Sequence, residues 1–310
     1  MVVVTALAVG SWLVLGPGRP QPPPCAGVEV GLDDDLQEAI DGSPAGTTFC
    51  LAAGTYVIEE PIETKDGTEL MGEGMGVTVL HSEGANIVID AARDRDVAIS
   101  HLDLADAHGS RACRPQCGSG LHGGSGVVVD SVAFYDNENH GLGGAEDLVV
   151  TNSVFHHNGS RGFTGCCAGG LKSGSGFRIE DSKIYENTGN GLWCDSGCPE
   201  GMEAFDNEIR DNTLDGIRYE VSDGGALIVG NVIAGNNTSD SRGGHGGIAV
   251  VASSNAVVRD NTLGGNGHGG IVVADTSRGR SADVTIEGNS LRGDDIRGCS
   301  ESVVCADNDR

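Results

Sequence analysis

Short runs of alternating apolar and polar residues recur along most of the chain, and each run ends at a small polar residue. Seven of these segments can be aligned, and they read VVVDSVAFYDN, VVTNSVFHHN, RIEDSKIYEN, EAFDNEIRDN, LIVGNVIAGN, VVRDNTLGGN and TIEGNSLRGD. The alignment produces one column of Ser131, Ser153, Ser182, Asn207, Asn231, Asn261 and Asn289, and a second column of Asp136, Asn158, Asn187, Asn212, Asn236, Asn266 and Asp294. Both columns advance by intervals of 22, 29, 25, 24, 30 and 28 residues. A unit of this length repeated along a chain predicts a solenoid or an array.

Alternation with a period of two predicts strands, and no segment keeps a helical period. A second short strand is predicted directly after a glycine in four repeats, at residues 191–193, 216–218, 247–249 and 270–272. Stacking such coils would pair each strand with its counterpart one turn later, and the aligned asparagines would form a hydrogen-bonded ladder at the corners. Asparagine is also common in loops. Two columns in phase over seven segments nevertheless favour the ladder.

These repeats resemble the right-handed parallel β-helix proteins of the pectate-lyase-like group, over roughly residues 30–295. That group includes polysaccharide lyases, some glycoside hydrolases, mannuronan C5-epimerases and nitrous-oxide-reductase maturation proteins. The resemblance implies an all-β, right-handed parallel β-helix and favours carbohydrate as the class of ligand. It says little about the reaction, because the repeat mostly records how each coil closes.

The N-terminal region is predicted to be a leader followed by a cap. Residues 2–15 form an apolar run that is short for a membrane span and suits a signal peptide, with an uncleaved anchor as the alternative. Leu32, Leu36 and Ile40 share one helical face with acidic residues at its start, which predicts a short helix capping the first coil.

This division gives a signal peptide or anchor with a proline-rich linker at 1–24 and a single β-helix domain at 25–310. Within the domain we expect a cap at about 25–60, coils at about 61–295 and a C-terminal cap at about 296–310.

The charge balance narrows the range of partners. With 45 acidic and 19 basic residues, the formal net charge is −26, which argues against nucleic acid and anionic membranes as partners. We expect a monomer without an integral membrane core that is secreted or anchored at the cell surface. Its expected partner is a polysaccharide or a cell-surface glycan.

Ten cysteines, an even number, predict disulfides in an exported protein. We expect Cys25 to pair with Cys50 and Cys299 to pair with Cys305. The remaining cysteines allow local bridges or crosslinks between turns, and they are Cys113, Cys117, Cys166, Cys167, Cys194 and Cys198.

No metal site or cofactor is predicted. The cysteine spacings match no familiar zinc pattern. Ca²⁺ on the acidic surface is the alternative left open, although no D-x-D-x-D loop occurs. His245 and His268 occupy equivalent places before Gly247 and Gly270, and we interpret them as structural corner residues that stack.

A candidate site follows from the alternation of side chains along the second strand of each repeat. If Leu171, Leu192 and Ile217 face the interior, the next residue in each strand faces outward, and these residues are Lys172, Trp193 and Arg218. Two positions after Trp193 and Arg218, Asp195 and Glu220 would also face outward, on adjacent coils. Apolar residues take both places on the following coils, so the cluster is expected to be local.

Two carboxylates on paired strands suggest acid–base chemistry. At about 5 Å, one carboxyl can have a raised pKa while the other stays ionised, which is the arrangement of a retaining glycosidase. Asp195 and Glu220 are therefore the candidate catalytic pair, and Trp193, Lys172 and Arg218 are the candidate substrate-binding residues. Alternatively, Lys172 or Arg218 would neutralise a uronate while a neighbouring base removes its C5 proton, as in a lyase or an epimerase.

The opposing hypothesis is a non-catalytic β-helix that binds glycans or serves a structural role at the cell surface. Acidic residues make up 45 of 310 positions, so an acidic neighbour arises often by chance, and the cations would then be ordinary salt-bridge partners. The presence of a tryptophan, two acids and two cations on one patch favours a function. The sequence does not separate hydrolysis, elimination, epimerisation and binding.

Overall fold

A computed structural model describes residues 22–109, 117–160, 169–237 and 245–309. In chain order its elements are β1 (Val28–Val30), α1 (Leu36–Gly42), β2 (Thr48–Leu51), β3 (Gly54–Ile58), β4 (Ile62–Glu63), β5 (Glu69–Met71), β6 (Thr78–Ser82), β7 (Ile87–Asp90), β8 (Ala98–Ala105), β9 (Ser119–His122), β10 (Val128–Tyr135), β11 (His140–Gly143), β12 (Leu148–Thr151), β13 (Val154–His156), β14 (Gly169–Ser173), β15 (Phe177–Glu180), β16 (Lys183–Tyr185), β17 (Asn190–Gly197), β18 (Met202–Phe205), β19 (Glu208–Arg210), β20 (Ile217–Ser222), β21 (Ala226–Val229), β22 (Val232–Ala234), β23 (Ile248–Val251), β24 (Ser254–Arg259), β25 (Thr262–Gly264), β26 (Ile271–Ala274), β27 (Ala282–Glu287), β28 (Ile296–Arg297) and β29 (Val303–Ala306).

These strands form a parallel β-helix, which confirms the predicted fold class. Ten strands stack into one sheet in the order β28-β26-β23-β20-β17-β14-β11-β9-β7-β4, and nineteen strands form the remaining wall. A typical coil runs through β18 and β19 in the larger wall and then enters the ten-stranded sheet at β20. Each strand pairs in parallel with its counterpart one coil later.

The interior is filled by aliphatic columns. One column of the ten-stranded sheet is at most 1% exposed and consists of Leu142, Leu171, Leu192, Ile217, Ile248 and Ile271. The inward orientation predicted for Leu171, Leu192 and Ile217 is therefore confirmed. Because these side chains are locked by packing, the outward positions of the same strands are held on a rigid surface.

Both asparagine ladders are present. In the second ladder, Asn187 donates from its Nδ2 to Asn212 Oδ1 at 2.9 Å, and Asn212 donates in the same way to Asn236 at 2.9 Å. In the first ladder, Asn207 donates to Asn231 and Asn231 donates to Asn261, each at 3.0 Å. The side chains satisfy corner amides that no strand pairing reaches.

The alignment of the first repeat is wrong by one residue. Val132 and Asn137, rather than Ser131 and Asp136, occupy the two column positions, and both intervals to the next repeat are 21 residues. Ser131 and Asp136 adopt the left-handed conformation, with φ of 57° and 55°, that precedes each corner position. The sequence alignment matched small polar side chains, which occur at both places.

The N-terminal cap contains the predicted helix, although the helix is shorter than its apolar face suggested. It begins after Asp35, whose side chain accepts a hydrogen bond from the Glu38 amide at 2.9 Å. Leu36 and Ile40 are buried, but Leu32 precedes the helix and is 50% exposed. The aspartate cap fixes the start of the helix, so Leu32 falls outside it.

Three disulfides of the described residues agree with the predicted spacings. Cys25 bonds to Cys50 and Cys299 bonds to Cys305, and Cys194 and Cys198 form a local bridge. The predicted leader lies outside the described residues except for 22–24, and Cys113, Cys166 and Cys167 lie outside them as well.

The disulfide of the cap should stabilise the protein more than that of the C-terminal end. Replacing Cys25 and Cys50 together with serine removes a crosslink across 25 residues, worth about 3.5 kcal/mol of unfolding free energy. The matched control replaces Cys299 and Cys305, whose separation of 6 residues predicts a loss of about 2 kcal/mol. Urea unfolding measures the loss of unfolding free energy in both double variants, and limited proteolysis of the cap follows its local opening. Equal losses would contradict the loop-closure explanation.

Candidate functional site

The five predicted site residues lie together on the outer face of the ten-stranded sheet. Lys172 on β14, Trp193 on β17 and Arg218 on β20 are consecutive partners in parallel register. Asp195 and Glu220 are also register partners on β17 and β20. The structure thus brings all five side chains onto three adjacent coils.

The cluster is bounded by small and apolar residues in the same outward column. Gly143 pairs with Lys172 on one side, and Ala249 followed by Val272 continues from Arg218 on the other. In the outward positions of these strands, the predicted cluster is therefore limited to three coils, as expected.

Lys172 is held between an aromatic ring and a carboxylate. Its Nζ lies 3.5 Å from the centroid of the Trp193 ring and 3.1 Å from Asp195 Oδ2. Burial lowers the pKa of Lys172, and this effect outweighs the opposing attraction of Asp195. Lys172 therefore releases its proton more readily than an ordinary lysine.

The Arg218 guanidinium makes a bidentate pair of hydrogen bonds with the Glu220 carboxylate. Nε donates to Oε2 at 2.9 Å and Nη2 donates to Oε1 at 3.0 Å. Burial alone would raise the pKa of Glu220, but the hydrogen bond and charge of Arg218 outweigh it and lower the pKa. Glu220 is consequently held in its ionised form and does not suit the role of proton donor.

A buried carboxylate that the sequence did not indicate forms an ion pair with Arg218. The side chain of Asp215 is fully buried, and its Oδ2 accepts from Arg218 Nη1 at 2.7 Å. It also contacts His245 Nδ1 at 3.1 Å and accepts from the Gly246 amide at 2.7 Å. His245 is therefore a partner of Asp215 and belongs to the border of the site, whereas the sequence suggested only a corner.

Arg278 is a second residue that the sequence did not indicate. Its Nη1 lies 3.3 Å from Glu220 Oε1 and its Nη2 lies 3.6 Å from Asp195 Oδ1. The guanidinium bridges the two carboxylates and relieves the repulsion expected between paired acids on adjacent strands. Its place 58 residues after Glu220, outside any strand, explains why the strand pattern missed it.

Two buried polar atoms of the cluster make no hydrogen bond. They are Trp193 Nε1, on a side chain with a residue exposure of 8%, and Asp195 Oδ1. Buried polar groups usually have partners, and leaving one without costs free energy. Asp195 Oδ1 is offset by the Arg278 guanidinium at 3.6 Å, and among the described residues the indole N–H is left without a hydrogen-bond partner.

The part of the chain that the structure describes contains neither a metal-binding cluster nor a membrane-spanning helix. No group of three or more histidine, cysteine, aspartate or glutamate side chains there is arranged to hold a metal ion. No helix within the same ranges has the length and apolar character that a membrane crossing requires.

The stack of parallel coils with a charged outer-face cluster defines a β-helix repeat protein. The chain belongs to the right-handed β-helix family, whose profile, described as a right handed beta helix region, matches residues 78–200 and 165–308. A comparison with curated protein sequences gave no significant match.

Several solved structures share the fold. Pectate lyase Pel9A superposes with a TM-score of 0.59 at 14% identity, covering 91% of this chain and 78% of that one. An alginate lyase from a Paenibacillus species gives a TM-score of 0.56 at 16% identity, with coverage of 89% and 92%. PfbA, a surface adhesin of Streptococcus pneumoniae, gives 0.57 at 14% identity, with coverage of 86% and 80%. At these identities the likeness concerns the fold.

Proposed function

We propose that the protein is an enzyme that acts on a uronate-containing polysaccharide on the outer face of the ten-stranded sheet, by removing the C5 proton of a uronate. Either elimination or epimerisation would follow from that step. The observation that carries the proposal is the position of Lys172, a lysine with a lowered pKa held against Trp193 beside two arginines.

The same contacts make hydrolysis by Asp195 and Glu220 less suitable. A retaining glycosidase needs one carboxyl as nucleophile and the other as proton donor. Both oxygens of Glu220 are engaged by Arg218, which leaves the nucleophile poorly accessible and keeps the carboxylate ionised. Asp195 lies between Lys172 and Arg278. For Glu220, the effect of burial is outweighed by the hydrogen bond of Arg218 and by the charges of Arg218, Arg278 and Lys172, which lower its pKa and oppose the retention of a proton.

In the proposed step, the neutral Lys172 amine takes the C5 proton, and the pair of C–H electrons moves toward the carboxylate of the uronate. Arg218 and Arg278 would stabilise the negative charge that develops on the carboxylate of the uronate. Asp195 and Glu220 hold the two arginines in position. In elimination, the electrons form the C4–C5 double bond and the C4–O bond breaks. The departing oxygen then takes a proton from the lysine ammonium. In epimerisation, a water molecule on the opposite face donates a proton to C5, and the hydroxide that forms takes the proton from the lysine ammonium.

The ring of Trp193 contributes less to this step than the sequence suggested. One face of the indole is covered by Lys172 and the residue is only 8% exposed, so little of the ring can contact a substrate. We assign Trp193 one role instead: it shields the Lys172 amine from water.

Three further observations support the proposal. Pectate lyase and alginate lyase are named for polymers of uronic acids, and both share this fold. The three described disulfides fit an oxidising location, so we propose that the protein works outside the cytoplasm. A local group of cations also answers the difficulty that a chain of net charge −26 poses for an acidic substrate.

The test incubates the oxidised protein with polygalacturonate, alginate, glucuronate-containing polymers and neutral glucans. Ultraviolet absorbance of an unsaturated uronate would indicate elimination, and a changed NMR signal of the sugar backbone without chain cleavage would indicate epimerisation. New reducing ends without that absorbance would contradict the proposal and restore Asp195 and Glu220 as a hydrolytic pair.

A non-catalytic glycan-binding module is the second candidate. Lys172, Arg218 and Arg278 each contact a carboxylate of the protein itself, which is also the arrangement of a neutralised surface. An adhesin has the same fold. Binding of a polymer without change in any of the three readouts would favour this candidate.

A further inference from the structure

A second polar recess lies on the same sheet as the Lys172 cluster, toward the N-terminus. It is a cavity of about 280 Å³ beside β9 and β11. Its charged lining comes from Arg93, Asp94, Arg95, His122 and Glu146, and its floor is rich in glycine. None of these residues has a part in the proposed reaction.

Glycine at two positions that line the cavity permits a close approach of neighbouring groups. A Cβ at Gly144 would lie 2.7 Å from the His122 ring, and one at Gly124 would lie 2.1 Å from the Asp94 carbonyl oxygen. Gly123 also lines the recess. The His122 ring therefore lies close to the backbone of Gly144 at one side of the cavity.

The two arginines of this cavity differ from most other arginines of the described residues. Seven of those have a carboxylate oxygen within 4.0 Å: Arg178, Arg210, Arg218, Arg259, Arg278, Arg280 and Arg297. Among the described residues, Arg93 and Arg95 have no such ion pair, although the protein carries 45 acidic residues. Arg93 acts on Asp90 through its charge at longer range. Two exposed guanidinium groups at one cavity, with no carboxylate oxygen within 4.0 Å, are suited to an external anion.

We propose that this cavity binds a uronate residue of the same polysaccharide chain that engages the Lys172 cluster. The carboxylate of the sugar would pair with Arg93 and Arg95. Asp94 and Glu146 also line the cavity. Asp94 Oδ2 already accepts from Thr64 Oγ1 at 2.7 Å, so Asp94 Oδ1 and the Glu146 carboxylate would accept hydrogen bonds from the sugar hydroxyls. A simple inorganic anion would have no use for these two acceptors, whereas an acidic sugar matches both kinds of group.

The cavity and the Lys172 cluster lie along the same outward column of the ten-stranded sheet. His122 is the register partner of Gly143, Gly143 is the partner of Lys172, and Lys172 is the partner of Trp193. Three inter-strand steps separate His122 from Trp193, or about 14 Å. Gly143 leaves the path between them without a side chain. An extended polysaccharide lying along the helix axis would therefore span several sugar residues between the cavity and the cluster.

The identity of the ligand rests on the proposed function, but the test of the cavity does not require turnover. Equilibrium binding of saturated galacturonate and mannuronate oligomers, as dimers and as hexamers, is measured by calorimetry at low salt and low temperature. The variant carries Arg93→Ala and Arg95→Ala together. The matched control is Arg292→Ala, because Arg292 is exposed and also lacks an ion pair but lies at the C-terminal end.

We expect the double variant to bind at least one hexamer about tenfold more weakly than the wild type, with a shallower dependence of affinity on salt. Its affinity for dimers, which reach only one of the two places, should fall less, and Arg292→Ala should behave as the wild type. Unchanged hexamer affinity in the double variant, an equal loss in the control, or no hexamer binding by the wild type would overturn the inference. Loss of hexamer affinity in a protein without turnover would support the cavity while contradicting the proposed reaction.

Discussion

Replacing Lys172 with arginine is expected to reduce turnover of the acidic polysaccharide by about 100-fold or more while changing its binding little. Arginine keeps the positive charge and can lie over the Trp193 ring beside Asp195, but it does not lose its proton in the accessible pH range. Steady-state kinetics of Lys172→Arg, on whichever polymer the wild type converts, measure the effect. The reduction should appear in kcat and leave KM nearly unchanged.

The pH dependence of the wild type provides an independent check of the same role. Removal of the C5 proton needs the neutral amine, so kcat/KM should rise with pH and level off above the pKa of Lys172. Burial lowers that pKa below the usual 10.5 of a lysine, so the rise should be centred at a lower pH than this value.

The control for Lys172→Arg is Lys183→Arg. Lys183 is 62% exposed on the larger wall and lies 3.7 Å from Glu208, so this change should leave turnover unaffected. Retention of activity by Lys172→Arg, or a pH profile that falls where Lys172 deprotonates, would show that another group takes the proton.

Replacing Asn212 with alanine is expected to lower the free energy of unfolding by about 4 kcal/mol, at about 1 kcal/mol for each of four hydrogen bonds. Its Nδ2 donates to the Ile184 carbonyl at 3.1 Å and to Asn236 Oδ1 at 2.9 Å. Its Oδ1 accepts from the Asn187 amide at 3.1 Å and from Asn187 Nδ2 at 2.9 Å. The truncation leaves fully buried polar groups in the neighbouring coils without partners. Chemical denaturation measures the loss.

Gln37→Ala is the comparison for the asparagine ladder. The Gln37 amide also makes several hydrogen bonds, to Asp41 and to the backbone of Glu63, but these lie at an exposed surface where water replaces them. We expect this variant to lose less than about 1 kcal/mol. A similar loss in both variants would mean that burial does not set the strength of the ladder.

The repeat and the composition of the ladder were predictable because each coil obeys the same local rules. Alternating apolar residues bury one face, and an asparagine at a fixed corner can bond its counterpart in the next coil. The same regularity placed Lys172, Trp193 and Arg218 in one outward column, because parallel strands in register place equivalent residues side by side. The misplaced first repeat shows the limit of this argument: Ser131 resembles the ladder residues in composition, and only the backbone conformation excludes it.

The state of the candidate site was decided by contacts between distant parts of the chain. Arg278 reaches Asp195 and Glu220 from outside the repeat pattern, and Asp215 supports Arg218 from a corner. These neighbours set the charge around Glu220 and hold its pKa below the usual value. Asp195 and Glu220, which appeared in the sequence as a hydrolytic pair, are surrounded by cations, and Lys172 has the lowered pKa.

The sequence by itself determined the coil, its cap, two terminal disulfides and the side of the sheet on which charged residues collect. Those features depend on the periodicity of apolar residues and on short spacings along the sequence, which residues close together in the chain can specify. Only the tertiary structure decided the ion pairs, the burial of Lys172 and the cavity at Arg93 and Arg95. Protonation depends on the burial and charge of every group within several ångströms, and those groups come together only when the coils stack.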